Sequence, residues 1–211
     1  MRNFIIGLLL TIVGIASLML IPSKQAAAPM PWEITVMPDN NIKVFDIHLG
    51  NTTYRQAQES LHIYGKTGIF TQDGVNPTVE AFFNSINLGG LSGKLVLNLA
   101  VSESQINDML SRALEARLQP SGAHRYDLNN SDNEALINAL VIAITYIPSV
   151  RLDEQMIRHR FGEAEAIEQD ESGAALWLYP SLGLNIRLQQ GEKSILLYHA
   201  TNIIADTEDP G

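Results

Sequence analysis

The five histidines are the first residues that could do chemistry, because imidazole binds zinc and transfers protons near neutral pH. They are His48, His62, His124, His159 and His199. None of them has the His-x-x-x-His or His-Glu-x-x-His spacing that places two zinc ligands on one helix face. His159 and Glu163 are four residues apart, but Gly162 is expected to end a helix between them. The spacing therefore predicts no metal site.

Two short motifs come close to functional patterns. Residues 127–131 begin like a calcium-binding loop, but positions six and twelve are Asp132 and Asn138, where the loop needs Gly and Glu. Residues 90–93, Gly-Leu-Ser-Gly, are one residue short of the Gly-x-Ser-x-Gly nucleophile motif and lie between predicted strands. We interpret the first motif as the start of a helix and the second as a hairpin turn.

The densest group of carboxylates also fits a turn. Glu168, Asp170 and Glu171 are followed two residues later by Gly173, which is typical of a solvated loop. A carboxylate pair that does acid–base work needs one buried partner to separate the two pKa values. We therefore expect no catalytic residues, no cofactor and no enzymatic activity.

Four residues near the C-terminus are candidates for binding a partner protein: Trp177, Tyr179, Arg187 and Tyr198. Trp177 and Tyr179 are two apart and so share one face of a strand. Trp, Tyr and Arg are the residue types enriched at interface hot spots. The alternative is that the aromatic side chains fill the core between the sheet and its helices.

Composition narrows the function classes. The chain has 211 residues, 45% of them hydrophobic, a net charge of −9 and no cysteine. Zero cysteine excludes disulfides, a thiol nucleophile and Cys-ligated metals. The acidic balance argues against nucleic acid as a partner, because binding to phosphates requires an excess of Lys and Arg.

Two segments about one hundred residues apart follow the same order of elements, which suggests an internal duplication. The matching helix positions are Thr53, Ala57 and Leu61 in the first segment and Asp153, Ile157 and Phe161 in the second. The predicted strands are residues 42–49, 62–70, 77–83 and 94–101 in the first, and 142–147, 164–169, 174–179, 184–188 and 194–199 in the second.

Two helices are predicted between the segments. Ser102 and Gln105 form a capping box like that of Thr53 and Gln56. The apolar stripe that follows comprises Ile106, Met109, Leu110, Ala113, Leu114 and Leu118. This spacing predicts one amphipathic helix that continues to residue 118. A shorter helix is predicted after Ser131.

Residues 4–21 form an uncharged apolar run. As a helix it would be about 27 Å long, close to the thickness of a bilayer core of about 30 Å. Arg2 favours a cytoplasmic N-terminus. We expect residues 4–21 to contact the cytoplasmic membrane as an uncleaved signal anchor, giving a single-pass inner-membrane protein with a periplasmic C-terminal domain. The alternative is a signal peptide cleaved within residues 25–29, with release to the periplasm.

The predicted fold class is α+β, an N-terminal transmembrane helix followed by two tandem modules, each a helix plus an antiparallel sheet. The predicted segments are an anchor (1–24), a linker (25–41), a first module (42–101), connecting helices (102–140), a second module (141–202) and a flexible acidic tail (203–211).

Both segments resemble a known family in short motifs. Residues 49–57, with Leu61, and residues 152–163, with the strands at 177–179 and 183–186, are similar to the small outer-membrane-assembly proteins of the BamE/SmpA/OmlA kind. The resemblance implies a helix-then-sheet module, shared with β-lactamase-inhibitor-like folds, that binds other proteins without catalysis. The whole chain also resembles conserved exported proteins of proteobacteria, which implies no activity.

We therefore expect a non-enzymatic cell-envelope protein, a membrane-anchored scaffold with an envelope protein as its partner. The alternative is a small-ligand or lipid carrier that uses a cleft between the two modules. A filled seam between the modules would favour the scaffold, and an open, concave seam would favour the carrier.

Overall fold

The computed structural model describes residues 29–119 and 122–200. In that part of the chain, thirteen strands form two antiparallel sheets, and four α-helices connect or cover them. The strands are β1 (Thr35–Val36), β2 (Ile42–Val44), β3 (Ile47–His48), β4 (Lys66–Gln72), β5 (Val75–Leu88), β6 (Leu91–Leu99), β7 (Glu115–Leu118), β8 (His124–Asp127), β9 (Val141–Pro148), β10 (Ala166–Gln169), β11 (Ala175–Tyr179), β12 (Leu184–Leu188) and β13 (Ile195–His199). The helices are α1 (Tyr54–Leu61), α2 (Glu103–Ser111), α3 (Asn130–Ala135) and α4 (Glu154–Phe161).

Side-chain caps fix where the helices begin. The Thr53 hydroxyl accepts a hydrogen bond from the amide of Gln56, whose side chain accepts one from the Thr53 amide. Ser102 and Gln105 repeat this arrangement at the start of α2. The carboxylate of Asp153 accepts from the amide of Met156 at the start of α4. These bonds satisfy amide groups that lack a partner inside the helix. The two predicted capping boxes are confirmed.

Ten of the strands form one continuous sheet, in the order β10-β11-β12-β13-β9-β6-β5-β4-β8-β7. Every neighbouring pair is antiparallel. Strand β9 lies at the centre and pairs with β6 of the first half and β13 of the second. The two halves are therefore joined by backbone hydrogen bonds.

One face of this sheet is covered and carries the core. The hairpin of β2 and β3 packs over the central strands, where the ring of Phe45 lies 5.4 Å from that of Tyr146 and 5.7 Å from that of Tyr198. Ala57 of α1 and Ile157 of α4 belong to the same buried cluster. A single hydrophobic core thus runs through both halves, with the N-terminal hairpin at its middle.

The predicted fold class is wrong in its architecture. The two helix-plus-sheet units do not form separate modules, because β9 leaves neither half with a free edge at the seam. Unpaired edges between two small sheets would expose backbone amide and carbonyl groups, and pairing through β9 removes that exposure. The structure supports a mostly β protein built on one ten-stranded sheet.

The predicted transmembrane helix, residues 4–21, lies outside the described residues. No helix within residues 29–119 and 122–200 is long and apolar enough to cross a membrane. The prediction of a membrane-anchored protein with single-pass inner-membrane localisation is therefore corrected, and we do not retain it. The acidic tail predicted for residues 203–211 also lies outside the described residues.

Two local predictions also need correction. The strand expected over residues 42–49 is a hairpin, because Phe45 and Asp46 adopt positive φ angles of 53° and 61° and reverse the chain. The helix expected to continue to residue 118 ends at Ser111, and Glu115–Leu118 pairs with β8 instead. In the first place a tight turn, and in the second a hairpin with β8, replaces the element that the apolar pattern predicts.

The segment expected as a linker packs on the second half. The hydroxyl of Tyr198 donates a 2.8 Å hydrogen bond to the carbonyl oxygen of Pro31. The guanidinium of Arg160 lies 4.1 Å from the ring centroid of Trp32. Pro31 and Trp32 are thus held against β13 and α4.

Candidate functional site

Three of the four residues predicted to bind a partner lie inside the protein. Trp177 and Tyr179 are each 2% exposed and Tyr198 is fully buried. Burial raises the pKa of the Tyr198 hydroxyl well above its ordinary value. The strand alternation does place Trp177 and Tyr179 on one face, but it is the face that α4 covers, where Phe161 contacts Tyr179. The aromatic side chains fill the core.

Arg187 points to the opposite face of the sheet, because Trp177 lies directly across from Ile186 in the β11–β12 pair. Its Nε donates a 2.7 Å hydrogen bond to Asp170 Oδ2, and its Nη2 donates to the Ser172 hydroxyl at 2.8 Å. Hydrogen bonds from Ser172 and Arg187 hold the pKa of Asp170 well below its usual range. The four predicted residues therefore do not share one surface.

The second face of the sheet carries large apolar side chains that remain partly exposed within the described part of the chain. We call these eight residues the open face: Phe70, Phe82, Val96, Ile147, Leu176, Leu178, Ile195 and Leu197. None of them belongs to the core cluster. The solvated face of an antiparallel sheet is normally polar, so a group of this kind marks an interaction surface.

The register places four residues of the open face in one row with two polar residues, Thr145 and Asn185. Phe82 lies across from Val96, Val96 from Thr145, and Thr145 from Leu197. Leu197 lies across from Asn185, which in turn faces Leu178. This row crosses six neighbouring strands, about 24 Å at roughly 4.8 Å per strand. Leu197, near its middle, is 38% exposed.

One end of the open face combines aromatic rings with a cation. The ring centroids of Phe70 and Phe82 are 4.9 Å apart, and the guanidinium of Arg125 lies 5.6 Å from the centroid of Phe82. Gly68 gives Arg125 room to lie along the sheet, since a Cβ there would be 3.1 Å from Arg125 Nε. Aromatic and Arg side chains are the types that most often dominate binding energy in protein interfaces.

A polar cleft of about 590 Å³ opens between α1, β4, β8 and α3. Arg117 on its wall pairs with Glu115 at 2.7 Å and with Asp127 at 3.4 Å, and Arg125 pairs with Asp127 at 3.1 Å. Acid–base chemistry needs two titratable groups whose environments separate their pKa values. The cleft instead holds charges that neutralise one another.

The histidines are dispersed. His48 lies 3.0 Å from Asp39, and burial lowers the pKa of His199. No three His, Asp or Glu side chains in residues 29–119 and 122–200 are placed to hold a metal ion. The histidines thus do not build a common centre.

Comparison with known proteins gives no relative for this chain. No family model matches it, and no curated protein or solved structure is similar to it at a significant level. The resemblance to the BamE/SmpA/OmlA proteins is not identified by these comparisons and stays a prediction. The functional argument therefore depends on the surface itself.

The sequence did contain a signal for the open face. A strand with one solvated face alternates apolar and polar residues, whereas Ile195–His199 begins Ile-Leu-Leu and Val141–Pro148 places Ile and Ala between its buried residues. Apolar residues on both faces of central strands indicate a second surface to be covered. Which face the helices cover could not be decided without the register.

Proposed function

We propose that the protein is a non-enzymatic protein-interaction module, and that the open face is its binding surface. The observation that carries the proposal is the row across six strands, in which four of the six positions are partly exposed apolar residues outside the core cluster and the other two are Thr145 and Asn185. Burial of such residues by a partner is favourable at about 25 cal/mol per Å² of apolar surface.

The sheet suits this role because it is rigid. Strands β6, β9 and β13 are central and hydrogen-bonded on both sides, so the positions of Val96, Ile147 and Leu197 are fixed before a partner arrives. A preorganised surface loses little conformational entropy on binding. The matching partner has a flat or gently curved apolar patch, with polar groups that meet the charged residues around the open face.

The alternative of a carrier with a cleft between the halves is not favoured. At the seam, β9 is hydrogen-bonded to β6 and β13, and the rings of Phe45, Tyr146 and Tyr198 pack together on the covered face. The place where such a ligand would lie is filled by side chains.

Affinity capture with matched variants tests the proposal. Leu197→Lys places a charge at the middle of the open face, where the wild-type side chain is 38% exposed. Met156→Lys is the control, because Met156 is 40% exposed and lies on α4, on the other side of the sheet. We expect a specific protein to be captured by the wild type and the Met156 variant and lost from the Leu197 variant.

The unfolding of each purified variant must also be measured, because a variant that does not fold would lose binding for that reason alone. The proposal is contradicted if a folded Leu197→Lys protein retains the same captured proteins as the wild type. It is equally contradicted if both lysine variants lose them alike.

A further inference from the structure

Strand β7 is an edge of the ten-stranded sheet, paired with β8 on one side only among the described residues. The amide of Gln119 donates to the carbonyl of Ala123, so Gln119 and Ala123 are a hydrogen-bonded pair of the β7–β8 hairpin. Hydrogen-bonded and non-bonded residues alternate along an antiparallel pair. The backbone groups of Arg117 and Glu115 therefore face β8, and those of Ala116 and Leu118 point away from the sheet.

The side chains of this edge are unusual for a solvated strand. Leu118 is 69% exposed and Leu114, immediately before the strand, is 71% exposed. They flank Ala116 at equal spacing. Exposed apolar edges pair with other chains, and charged residues normally protect edge strands from such pairing. Glu115 and Arg117 supply charge on β7, so pairing with another chain requires those two charges to be matched.

The order of charges on β7 does not suit its neighbour in the sheet. Glu115 lies directly across from Asp127, and Arg117 lies directly across from Arg125. Like charges in directly opposed positions destabilise a strand pair. Within the chain this arrangement is offset by Arg117, which pairs with Glu115 at 2.7 Å and diagonally with Asp127 at 3.4 Å, and by Arg125, which pairs with Asp127 at 3.1 Å. The reverse order of the two charges would match β8 at both positions.

The same order is self-complementary. When two copies of Glu115–Leu118 run antiparallel with Ala116 on the two-fold axis, Glu115 of each copy lies across from Arg117 of the other. Leu114 and Leu118 then approach each other through their side chains only, because the amide of Leu114 already donates to the carbonyl of Asp127 on β8. The backbone groups that meet at Ala116 are the ones that point away from β8, so the register is a hydrogen-bonded one.

We infer that β7 is a homodimer interface, which pairs antiparallel with β7 of a second copy of this chain in the register centred on Ala116. The contact is isologous, since the same residues are used on both sides of a two-fold axis. It joins two ten-stranded sheets edge to edge. The inference is independent of the proposed role of the open face, because no residue of the open face takes part.

Sedimentation velocity of the full chain over a wide concentration range tests the inference. We expect a monomer–dimer equilibrium in the wild type. Glu115→Arg alone and Arg117→Glu alone each oppose like charges across the two-fold axis, and each should weaken dimerisation at least about tenfold. The double variant restores both pairs and should dimerise again. Glu168→Arg, a charge reversal on the other edge strand, is the matched control.

The Ala116→Pro variant is a second test of the homodimer interface, and it does not depend on charge. Its amide points away from β8, so proline removes no hydrogen bond within the chain, and edge strands accept proline at such positions. The dimer should weaken at least about tenfold, since the central pair of hydrogen bonds is lost. Circular dichroism reports whether each variant is folded.

A cysteine at the axis reports the register directly, because the chain has no cysteine of its own. Ala116→Cys should form a disulfide-linked dimer on mild oxidation, as hydrogen-bonded strand partners are within disulfide reach. Val75→Cys, whose wild-type side chain is 59% exposed, should not. The inference is overturned by a chain that stays monomeric, or by a dimer that folded Ala116→Pro or the single charge reversals leave unchanged. Failure of the double variant to restore the dimer also overturns it.

Discussion

The guanidinium of Arg187 and the carboxylate of Asp170 are joined by a 2.7 Å hydrogen bond between Nε and Oδ2. Asp170 lies in the turn between β10 and β11, and Arg187 also reaches Glu192 in the turn after β12. The pair therefore ties two turns at the same end of the sheet. Arg187 has a structural role in the second half of the chain.

The pH dependence of stability should follow from this pair. The folded-state pKa of Asp170 is lower than its ordinary value of about 3.9, so its stabilising contribution is present above that value and is lost as pH falls through the folded-state pKa. Asp170→Asn should lower the melting temperature at pH 7, and the difference from wild type should shrink below about pH 4. Glu171→Gln, in the same turn, should have little effect. A constant difference at all pH values would contradict this account.

A second prediction concerns the contact of Gly93 with Tyr146 on the covered face. A Cβ at residue 93 would lie 2.5 Å from the Tyr146 ring and 2.8 Å from the carbonyl oxygen of Ile147. Because the carbonyl belongs to the paired backbone of β9, it cannot move aside without breaking the sheet. Gly93→Ala should lower the free energy of unfolding by about 1–3 kcal/mol in urea titrations. Ser92→Ala next to it should change it by less than about 0.5 kcal/mol.

Phe45 tests whether the N-terminal hairpin belongs to the core. Its ring is 1% exposed and contacts Tyr146 and Tyr198. Phe45→Ala should lower the free energy of unfolding by about 3–5 kcal/mol. Trp177, buried in the second half, should report unfolding in the same transition as far-ultraviolet circular dichroism. A loss below about 1 kcal/mol would mean that the hairpin does not pack on the seam.

Replacing Glu80 should increase stability at pH 7, whereas replacing Asp170 should decrease it. It lies across from Gly68 on the same side of the sheet as the open face, accepts a hydrogen bond from Thr78, and burial raises its pKa. Because the pKa of Glu80 is higher in the folded than in the unfolded protein, where it is about 4.3, protonated Glu80 stabilises the fold at pH values below about 4.3. This contribution to the free energy of unfolding is lost as pH rises through the folded-state pKa. Glu80→Gln should therefore be more stable than wild type at pH 7, with no gain near pH 4. Thermal unfolding at the two pH values checks this, and an equal gain at both contradicts it.

Local signals were predictable from the sequence. The caps at Thr53, Ser102 and Asp153 follow from short side chains that satisfy amide groups near them in sequence. Gly162 follows α4, as the sequence indicates. These features depend on a few neighbouring residues, and no distant contact competes with them.

Features that depend on distant contacts were not predictable. The hairpin at Phe45 exists because two strands far along the chain provide a pocket for its ring. Residues 115–118 have a helical apolar spacing and still form a strand, because β8, which is itself held in the sheet by the distant strand β4, offers a partner. The four proposed binding residues do not share one surface, and the sequence could not show this. Only the β11–β12 register places Arg187 and Trp177 on opposite faces of the sheet.

The affinity of a captured partner for purified variants tests the central claim most directly. The partner is titrated into three folded proteins: the wild type, Leu197→Lys and Met156→Lys. The two variants change side chains of nearly equal exposure on opposite sides of the sheet. If the open face is the binding surface, the Leu197 variant should bind the partner at least about tenfold more weakly than the wild type, and the Met156 variant should bind it equally well. Equal affinity for wild type and Leu197→Lys would contradict it.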